Sequence, residues 1–363
     1  MQLGYFAMPL HPPERDYGEV LEENRQAIIL ADKLGYSEAW IGEHLTSIGE
    51  PITHPFMFFA TVLSETKQIK FGSAVLNLPY HHPAHLAMQL AMFDHLSGGR
   101  LMIGVGPGGL PSDTEFFGIS PDDGHRMMVE SVDLMIRIWT EDPPYDIEGE
   151  FWDMHLHDFV LPHIGVGRTP KPLQKPHPPI AYAMRSPKSG AARLCAERDW
   201  IPISGNFVPS GFIRSQWDDF ENQCADLGKT ADRDRWRVAR SILVAESDGQ
   251  ASDYVAQEEG GFRFYFQYLR TLEVRRQMAD TTTAEFQAEV ATRVNEALED
   301  QVIAGSPATV LDRLVALHDE LGYFGTLIAT GHDWDDAALW QGSMARLAED
   351  VMPKFRQHAE AAR

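Results

Sequence analysis

Four short segments of this 363-residue chain combine residue types and spacings capable of chemistry. They are Glu43-His44-Leu45, Tyr80-His81-His82-Pro83, the run Gly104-Val105-Gly106-Pro107-Gly108-Gly109 leading to Asp113, and Arg185-Ser186-Pro187-Lys188-Ser189. His44 is a natural general acid or base, because an imidazole exchanges its proton near neutrality; a purely structural histidine is the other reading. Arg185 to Ser189 place cations, hydroxyls and backbone N–H groups at an expected helix start, which makes either a phosphate cradle or a plain N-cap. His81, His82 and His85 form an HHxxH cluster, but Pro83 interrupts the local helix and no carboxylate or cysteine stands close in sequence. A loop followed by a helix start is therefore preferred to a metal site. His155 and His157 share one strand face in a charged segment and are expected to face solvent.

The glycine run formally satisfies GxGxxG after a strand, as in a dinucleotide fold. That fingerprint needs a helix opening within the glycines and an acidic residue about 20 positions on. Pro107 interrupts it, and the Leu110–Gly118 stretch shows no helical periodicity before the helix expected at 124–140. The glycines are read instead as letting backbone approach a flat ligand closely, and no NAD(P) site of this kind is expected.

These segments follow apolar, β-rich runs in a regular order. The runs are 3–8, 38–44, 69–78, 100–106, 179–184, 200–204, 236–246 and 325–330. Helical periodicity follows each, at 19–34, 55–66, 84–96, 124–140, 186–198, 210–227, 307–321 and about 336–361. Gly35 is a candidate left-handed C-cap, and Ser306-Pro307 an N-cap with proline at the first helical position. Strands buried on both faces read as nearly continuous apolar runs, as several of these do. Eight strand–helix units predict a (β/α)8 barrel, with a doubly wound open sheet as the alternative. In a barrel the chemistry sits at the carboxyl ends of the strands, where the four segments fall. Two stretches break the alternation. The proline-rich 141–178 is expected to hold a hairpin around Glu148-Gly149-Glu150, and the charged, mostly helical 247–304 carries Phe262, Phe264, Tyr265, Phe266 and Tyr268, either packing on the barrel wall or a partner or covering the site.

Composition excludes several classes. The chain is 44% hydrophobic and 23% charged, a globular balance, and its 31 Lys+Arg against 53 Asp+Glu give a net charge of −22. That sign, with no basic stripe, argues against nucleic acid. No stretch is apolar for long enough to span a membrane, and the first residues lack a signal-peptide pattern, so a cytoplasmic location is expected. Cys195 and Cys224, on consecutive expected helices and without a CxxC, read as buried or indifferent thiols.

Taken together, the motifs resemble the luciferase-like flavin-dependent monooxygenases, the barrel family of bacterial luciferase. Within it the pattern is most similar to two-component terpenoid oxygenases of the limonene 1,2-monooxygenase type. The resemblance rests on Glu38-Ala39-Trp40-Ile41-Gly42-Glu43-His44, Leu78-Pro79-Tyr80-His81-His82-Pro83, Asp94-His95-Leu96-Ser97-Gly98-Gly99-Arg100, Gly104-Val105-Gly106-Pro107-Gly108 with Leu110-Pro111-Ser112-Asp113, His177-Pro178-Pro179-Ile180 and Ala304-Gly305-Ser306-Pro307. These span nearly the whole chain in family order. They are specific for the superfamily and much less so for a substrate.

The resemblance implies a single luciferase-like TIM-barrel domain over 1–363, with insertions at about 141–178 and 247–304, binding FMN as FMNH2. His44 matches the catalytic histidine. Ala74-Val75 matches a non-proline cis peptide beneath the flavin ring. Gly106 falls where some relatives carry a cysteine, so no thiol chemistry is expected. Ser186 and Ser189, with Met184 and Arg185, match the phosphate-binding segment. Pro107 departs from the pattern, standing where luciferase has a phosphate-facing arginine, and Arg185 is the candidate to supply that charge. The implied reaction passes through a C4a-(hydro)peroxyflavin and inserts one oxygen from O2 into a small apolar substrate, a terpenoid alkene or a cyclic ketone. A separate NAD(P)H flavin reductase and a homodimer or higher homo-oligomer are the implied partners, with neither metal nor membrane. Alternatives are a deazaflavin-dependent hydride-transfer enzyme of the same fold, a non-catalytic flavin-binding relative, and a metal-dependent barrel hydrolase.

Overall fold

The computed structural model describes residues 1–7, 10–188 and 190–362. Eight parallel strands form a closed ring: β1 (Gln2–Ala7), β2 (Glu38–Ile41), β3 (Lys70–Ser73), β4 (Leu101–Gly106), β5 (Ile180–Met184), β6 (Ile201–Ser204), β7 (Arg237–Val244) and β8 (Thr326–Gly331). Each pairs with the next in sequence, and β8 pairs with β1 in register Gln2↔Thr326 through Ala7↔Gly331. The last gap closes through Arg237↔Ile203 and Val238↔Ser204. Closure removes the two edges that a doubly wound sheet would have, so the expected barrel is the observed one.

The barrel interior is organised around one side chain. Trp40 on β2 is fully buried with Met102, Ala181, Ile201, Ile203, Ala239 and Ile328 from the facing strands. Its indole N–H donates to Glu38 Oε1 at 3.0 Å, and Glu38 in turn takes both an Nε and an Nη2 contact from Arg237, at 3.3 and 3.2 Å. The ring fits because β3 and β4 present glycines to it: a Cβ on Gly72 would lie 2.2 Å from the indole, and one on Gly104 2.0 Å from the Ser73 carbonyl oxygen. The second, larger core lies between strands and helices, where Phe56, Phe59, Phe71 and Phe93 pack ring against ring.

Local signals set most helix ends. Asp16 and Ser306 accept from the N–H groups of Glu19 and Thr309, Pro307 opens the helix Pro307–Leu321, and Gly35 has φ 81°. Three helices differ from expectation. Pro55–Ala60 stops short of 66 because the Thr61 hydroxyl donates to the Phe58 carbonyl and Arg25 donates to the Thr61 carbonyl. The helix expected from 186 begins at Gly190. The last helix is broken into Ala337–Arg346 and Met352–Ala361 by a π-turn at Leu347–Val351; Pro353 just beyond has no N–H for the regular ladder.

The first insertion forms the expected hairpin, Tyr145–Ile147 against Met154–Leu156, and the backbone N–H groups of Glu150, Phe151 and Trp152 at its tip donate to the Glu130 carboxylate. The second holds helices Asp248–Val255, Gly261–Arg275 and Ala284–Gln301, then a short strand, Val302–Gly305, beside β7. Cys195 and Cys224 are buried and unpaired. Among the described residues no helix is long and apolar enough to cross a membrane.

The Trp40 niche gives a direct test. Gly72→Ala is expected to destabilise the fold by about 2 kcal/mol or more in a denaturant titration, because overpacking a rigid site costs on the order of 1–3 kcal/mol. Gly211→Ala, where a Cβ meets nothing within 4 Å inside the helix Ser210–Asp226, is expected to stabilise by about 0.5 kcal/mol. Equal effects at the two positions would contradict the packing described.

Candidate functional site at the barrel mouth

At the carboxyl end of β2 the chain turns through Gly42 and Glu43 into His44. The Glu43 carboxylate is buried and accepts the Asn77 N–H at 2.8 Å and a ring nitrogen contact from His81 at 2.9 Å, while its carbonyl takes the Asn77 side-chain amide at 2.7 Å. The loop after β2 is thus tied to the loop after β3. His81 has the carboxylate companion that sequence spacing did not show, because Glu43 lies 38 residues away. His82 is spent capping the helix Pro83–Leu96, and His54 caps Pro55–Ala60.

His44 lies between two carboxylates. Its Nδ1 is 3.3 Å from Asp113 Oδ2, and its Nε2 is 3.4 Å from Glu50 Oε2. Asp113 belongs to a short helix, Pro111–Phe117, that apolar periodicity did not reveal. Its carboxylate also accepts from the backbone N–H of Leu45 and Thr46 and from the Thr46 hydroxyl, at 3.2, 2.8 and 2.6 Å. Glu50 is buried and accepts from the Tyr268 hydroxyl at 3.1 Å, which also lies 3.0 Å from Ser47 Oγ. The imidazole keeps 21% of its side chain accessible, so it can reach a ligand.

The electrostatics follow from that placement. Desolvation works against the His44 imidazolium, but Glu50, Asp113 and Glu43 outweigh it and hold its pKa above 6.5. Burial is the largest influence on Glu50 and pushes its carboxyl up, against the pull of His44 and Tyr268. Burial also penalises the Asp113 anion, yet the hydrogen bonds from His44, Thr46 and Leu45 bring it below its usual value. The cluster thus sets two buried carboxyl groups, one pushed up and one held down, around an imidazole whose charged form they favour, facing the barrel mouth.

The neighbouring strand ends complete the mouth. The Ala74–Val75 peptide is cis, as the resemblance implies. Gly106 ends β4 against it, and a Cβ there would lie 2.3 Å from Val75 Cγ2, so no side chain fits. Met184 ends β5, buried, with its carbonyl taking the Gln216 amide at 3.0 Å. Arg185 sets its guanidinium 5.6 Å over the Phe207 ring, with Nη1 3.1 Å from where a Gly109 Cβ would stand. The Ser186 hydroxyl is 3.4 Å from the Lys188 carbonyl. Ser189 lies outside the described residues. The loop from Pro107 to Asp113 therefore joins both halves, touching Arg185 at Gly109 and His44 at Asp113.

The second insertion covers this mouth. Along the helix Gly261–Arg275, Phe262 and Tyr265 each set their rings 4.6 Å from His332, at the end of β8, and Asn206, after β6, donates to the Tyr265 hydroxyl at 2.8 Å. Burial pushes the His332 pKa down to about 3, so this histidine packs as a neutral ring. Phe56, Phe58 and Phe59 pack in the outer core and not at the mouth. His155 and His157 are solvent-exposed as expected, stacked beside Asp146. Sequence reasoning missed Glu50, Tyr268 and the partnership of Asp113. Asp113 alone carried a signal, its place in the loop after a strand.

Comparison with known proteins gives consistent results. A family model described as luciferase-like monooxygenase matches residues 1–323. The chain is 31% identical over 360 residues to 4-hydroxyprotoasukamycin monooxygenase of Streptomyces nodosus subsp. asukaensis, covering 98% of this chain and 92% of that one. It is 28% identical to limonene 1,2-monooxygenase of Rhodococcus erythropolis, covering 98% and 87% respectively. Among solved structures, the oxygenating constituent of 3,6-diketocamphane monooxygenase from Pseudomonas putida, a type II Baeyer–Villiger monooxygenase in complex with FMN, superposes with TM-score 0.85 at 28% identity, over 98% of each chain.

The carboxylate pair is testable by titration. Because the folded His44 pKa is raised, the stability its charge contributes is fully present below 6.5 and is lost as pH rises through the folded value. Asp113→Asn and Glu50→Gln should each lower that pKa, read from the His44 ring proton in NMR titrations. Each should also shrink the stability gained on acidification from about pH 8 to about pH 6. An unmoved titration in both variants would exclude the arrangement.

Proposed function

The chain belongs to the luciferase-like monooxygenase family, and from that premise we propose that it inserts one oxygen atom of O2 into a small apolar substrate, a terpenoid alkene or cyclic ketone. The protein is a flavin-dependent monooxygenase with FMN as its cofactor. The observation that carries the finer reading is His44, poised between Asp113 and Glu50 at an accessible mouth.

The residues present suit the cofactor. Gly106 lets the Val75 side chain pack directly against the end of β4, so the two strand ends form one close-set floor for a flat ring system. Arg185 and Ser186 supply donors for a phosphate beside the buried Met184; Ser189, which the resemblance adds to them, lies outside the described residues. When bound, reduced FMN supplies two electrons to O2; one oxygen enters the substrate and the other leaves as water.

The chain's own residues manage the surroundings of that reaction. Asp113 fixes the His44 ring through Nδ1, so the exchangeable proton is held at Nε2, beside Glu50, which can replace it. The insertion helix shields the mouth from water, which favours oxygen transfer over loss of peroxide. The apolar class of substrate is supported by Ile48, Phe116 and Phe117, exposed on the segments after β2 and β4 at the same end of the barrel. Delivery of reduced flavin by a separate reductase is supported by the camphane relative, which is the oxygenating constituent of its monooxygenase.

The test is turnover of a monoterpene and cyclic-ketone panel with FMNH2 from an unrelated flavin reductase under ¹⁸O2. One labelled oxygen per product is expected. His44→Ala should lower turnover by about 100-fold with FMN affinity little changed, since a positioned acid–base group contributes on the order of 10²–10⁴. Failure to bind FMNH2, or unlabelled product, would favour a deazaflavin-dependent hydride transfer on the same fold.

A further inference from the structure

At the end of the barrel away from the mouth, a buried histidine has no polar partner. His318 lies near the end of the helix Pro307–Leu321, which leads towards Thr326 at the start of β8, and the last helix, Met352–Ala361, packs across it. Only 3% of His318 is exposed, among the rings of Phe324 and Phe355, yet neither of its ring nitrogens makes a hydrogen bond. A buried imidazole gives up its hydrogen bonds to water, so two unpaired nitrogens call for a partner from elsewhere.

Beside it stand two groups that complete a ligand set. His318 Nδ1 is 3.6 Å from Asp319 Oδ1, and the same oxygen is 2.9 Å from His358 Nε2 on the facing helix. The two imidazoles meet edge to face with centroids 5.4 Å apart, and the three ligand atoms lie within 4.8 Å of one another. A tetrahedral Zn²⁺ with bonds of about 2.0–2.1 Å holds its ligand atoms about 3.3 Å apart, and the two shorter spacings bracket that value. Asp319 and His358 keep 59% and 35% of their side chains accessible, which leaves a path for an ion and room for water as a further ligand. Burial lowers the His318 pKa, with smaller pushes from His358 and Arg233, against the pull of Asp319; the His358 hydrogen bond lowers that of Asp319. A neutral imidazole and an ionised carboxylate are the forms that bind metal. The opposing charge, Arg233, is engaged elsewhere, donating to the Leu321 and Tyr323 carbonyls and lying over the Trp217 and Trp236 rings.

We propose that His318, Asp319 and His358 form a binding site for Zn²⁺, which clips the last helix to the helix Pro307–Leu321. Two imidazole nitrogens and one carboxylate oxygen suit Zn²⁺, whereas Mg²⁺ and Ca²⁺ favour oxygen ligands alone. The clip is structural, because it stands at the amino end of β8, remote from His44. Arg356 of the same last helix donates to the Met1 carbonyl at 3.0 Å, just before β1, so a fixed last helix braces the two strands, β8 and β1, that close the ring. Two other groups of the same residue types differ. Beside His11, Arg15 already supplies the cation between Glu23 and Asp333. Asp146, His155 and His157 are all exposed, with no buried nitrogen in want of a partner.

The experiment is calorimetric titration of the untagged full chain with Zn²⁺, with the visible absorption of bound Co²⁺ as a second readout. It compares wild type with Asp319→Asn, His358→Ala and His318→Phe, and uses His155→Ala as the control for the exposed hairpin cluster. Asp319 and His358 are at the surface, and His318→Phe keeps a ring between Phe324 and Phe355, so circular dichroism should show all variants folded. Wild type and His155→Ala are expected to bind Zn²⁺ alike. Each of the other three variants should weaken binding by at least about 100-fold, the upper range for losing even the outer-shell support of a ligand. Bound Co²⁺ should give the intense bands of a four-coordinate site in wild type, and these should vanish in the three variants. At a hundredfold excess over Kd, Zn²⁺ should raise the apparent Tm of wild type by roughly 4 °C, and Mg²⁺ should not. Binding that survives in Asp319→Asn, His358→Ala and His318→Phe, or that is lost in His155→Ala, overturns the proposal. So does a wild-type chain with no Zn²⁺-dependent signal in either readout.

Discussion

The mouth of this barrel depends on how the buried carboxylate of Asp113 is satisfied. An ionised carboxylate out of water costs several kcal/mol unless its oxygens are filled, and among the described residues no lysine or arginine comes to it. Its donors are the backbone of Leu45 and Thr46, the Thr46 hydroxyl and His44. All four belong to one turn after β2, so a single anion fixes the path of that turn and the direction of the imidazole. Because His44 is the cationic partner of Asp113 among the described residues, the charge of Asp113 and the proton on His44 are linked. Glu50, behind Nε2, is pushed up by its own burial, while the neighbouring imidazolium pulls its carboxyl the other way.

That turn can be placed only because the strands beneath it are close enough. Trp40 fills the barrel interior, and glycines at 72 and 104 let β3 and β4 close around it. Gly106 repeats the device one layer higher, where the missing side chain leaves backbone beside Val75. The strand ends carrying His44, Ala74–Val75 and Gly106 are thus neighbours through backbone contact, and loop flexibility is not needed to assemble them. The same loop continues to Gly109 and Asp113, so the expected cofactor wall and the proton-holding cluster are parts of one continuous segment.

The elements legible in the sequence are those specified locally. The eight apolar runs, the Ser306-Pro307 start, the Gly35 stop and the hairpin at 148–150 each depend on residues a few positions apart, and each is found where it was expected. The misjudged boundaries depend on tertiary competition. Arg25 reaching Thr61 ends one helix early, and a proline opens a π-turn in another. The site divides the same way. His44 stood out by residue type and by its place after a strand, whereas Glu50 and Tyr268 are separated by 218 residues and meet only because the insertion folds back over the mouth. No pattern within a window of ordinary helix or strand length encodes such a meeting. The Ala74–Val75 peptide was legible through resemblance alone, since neither residue type marks it.

The net charge of −22 raises the question of how such a chain attracts an anionic cofactor at all. Distance answers it. Two unit charges about 4 Å apart interact by about 4 kcal/mol at the effective dielectric of a protein surface, and charges farther than about 8 Å are largely screened at physiological salt. Many of the acidic side chains lie on outer helices, several already paired with arginines, as in Arg137 with Glu141 and Arg193 with Glu197. A phosphate held as proposed at the strand ends would be governed instead by Arg185, which has no ion-pair partner among the described residues. The acidic envelope and the cationic rim therefore act over different ranges, and the sign that matters to a bound ligand is that of the few groups within contact.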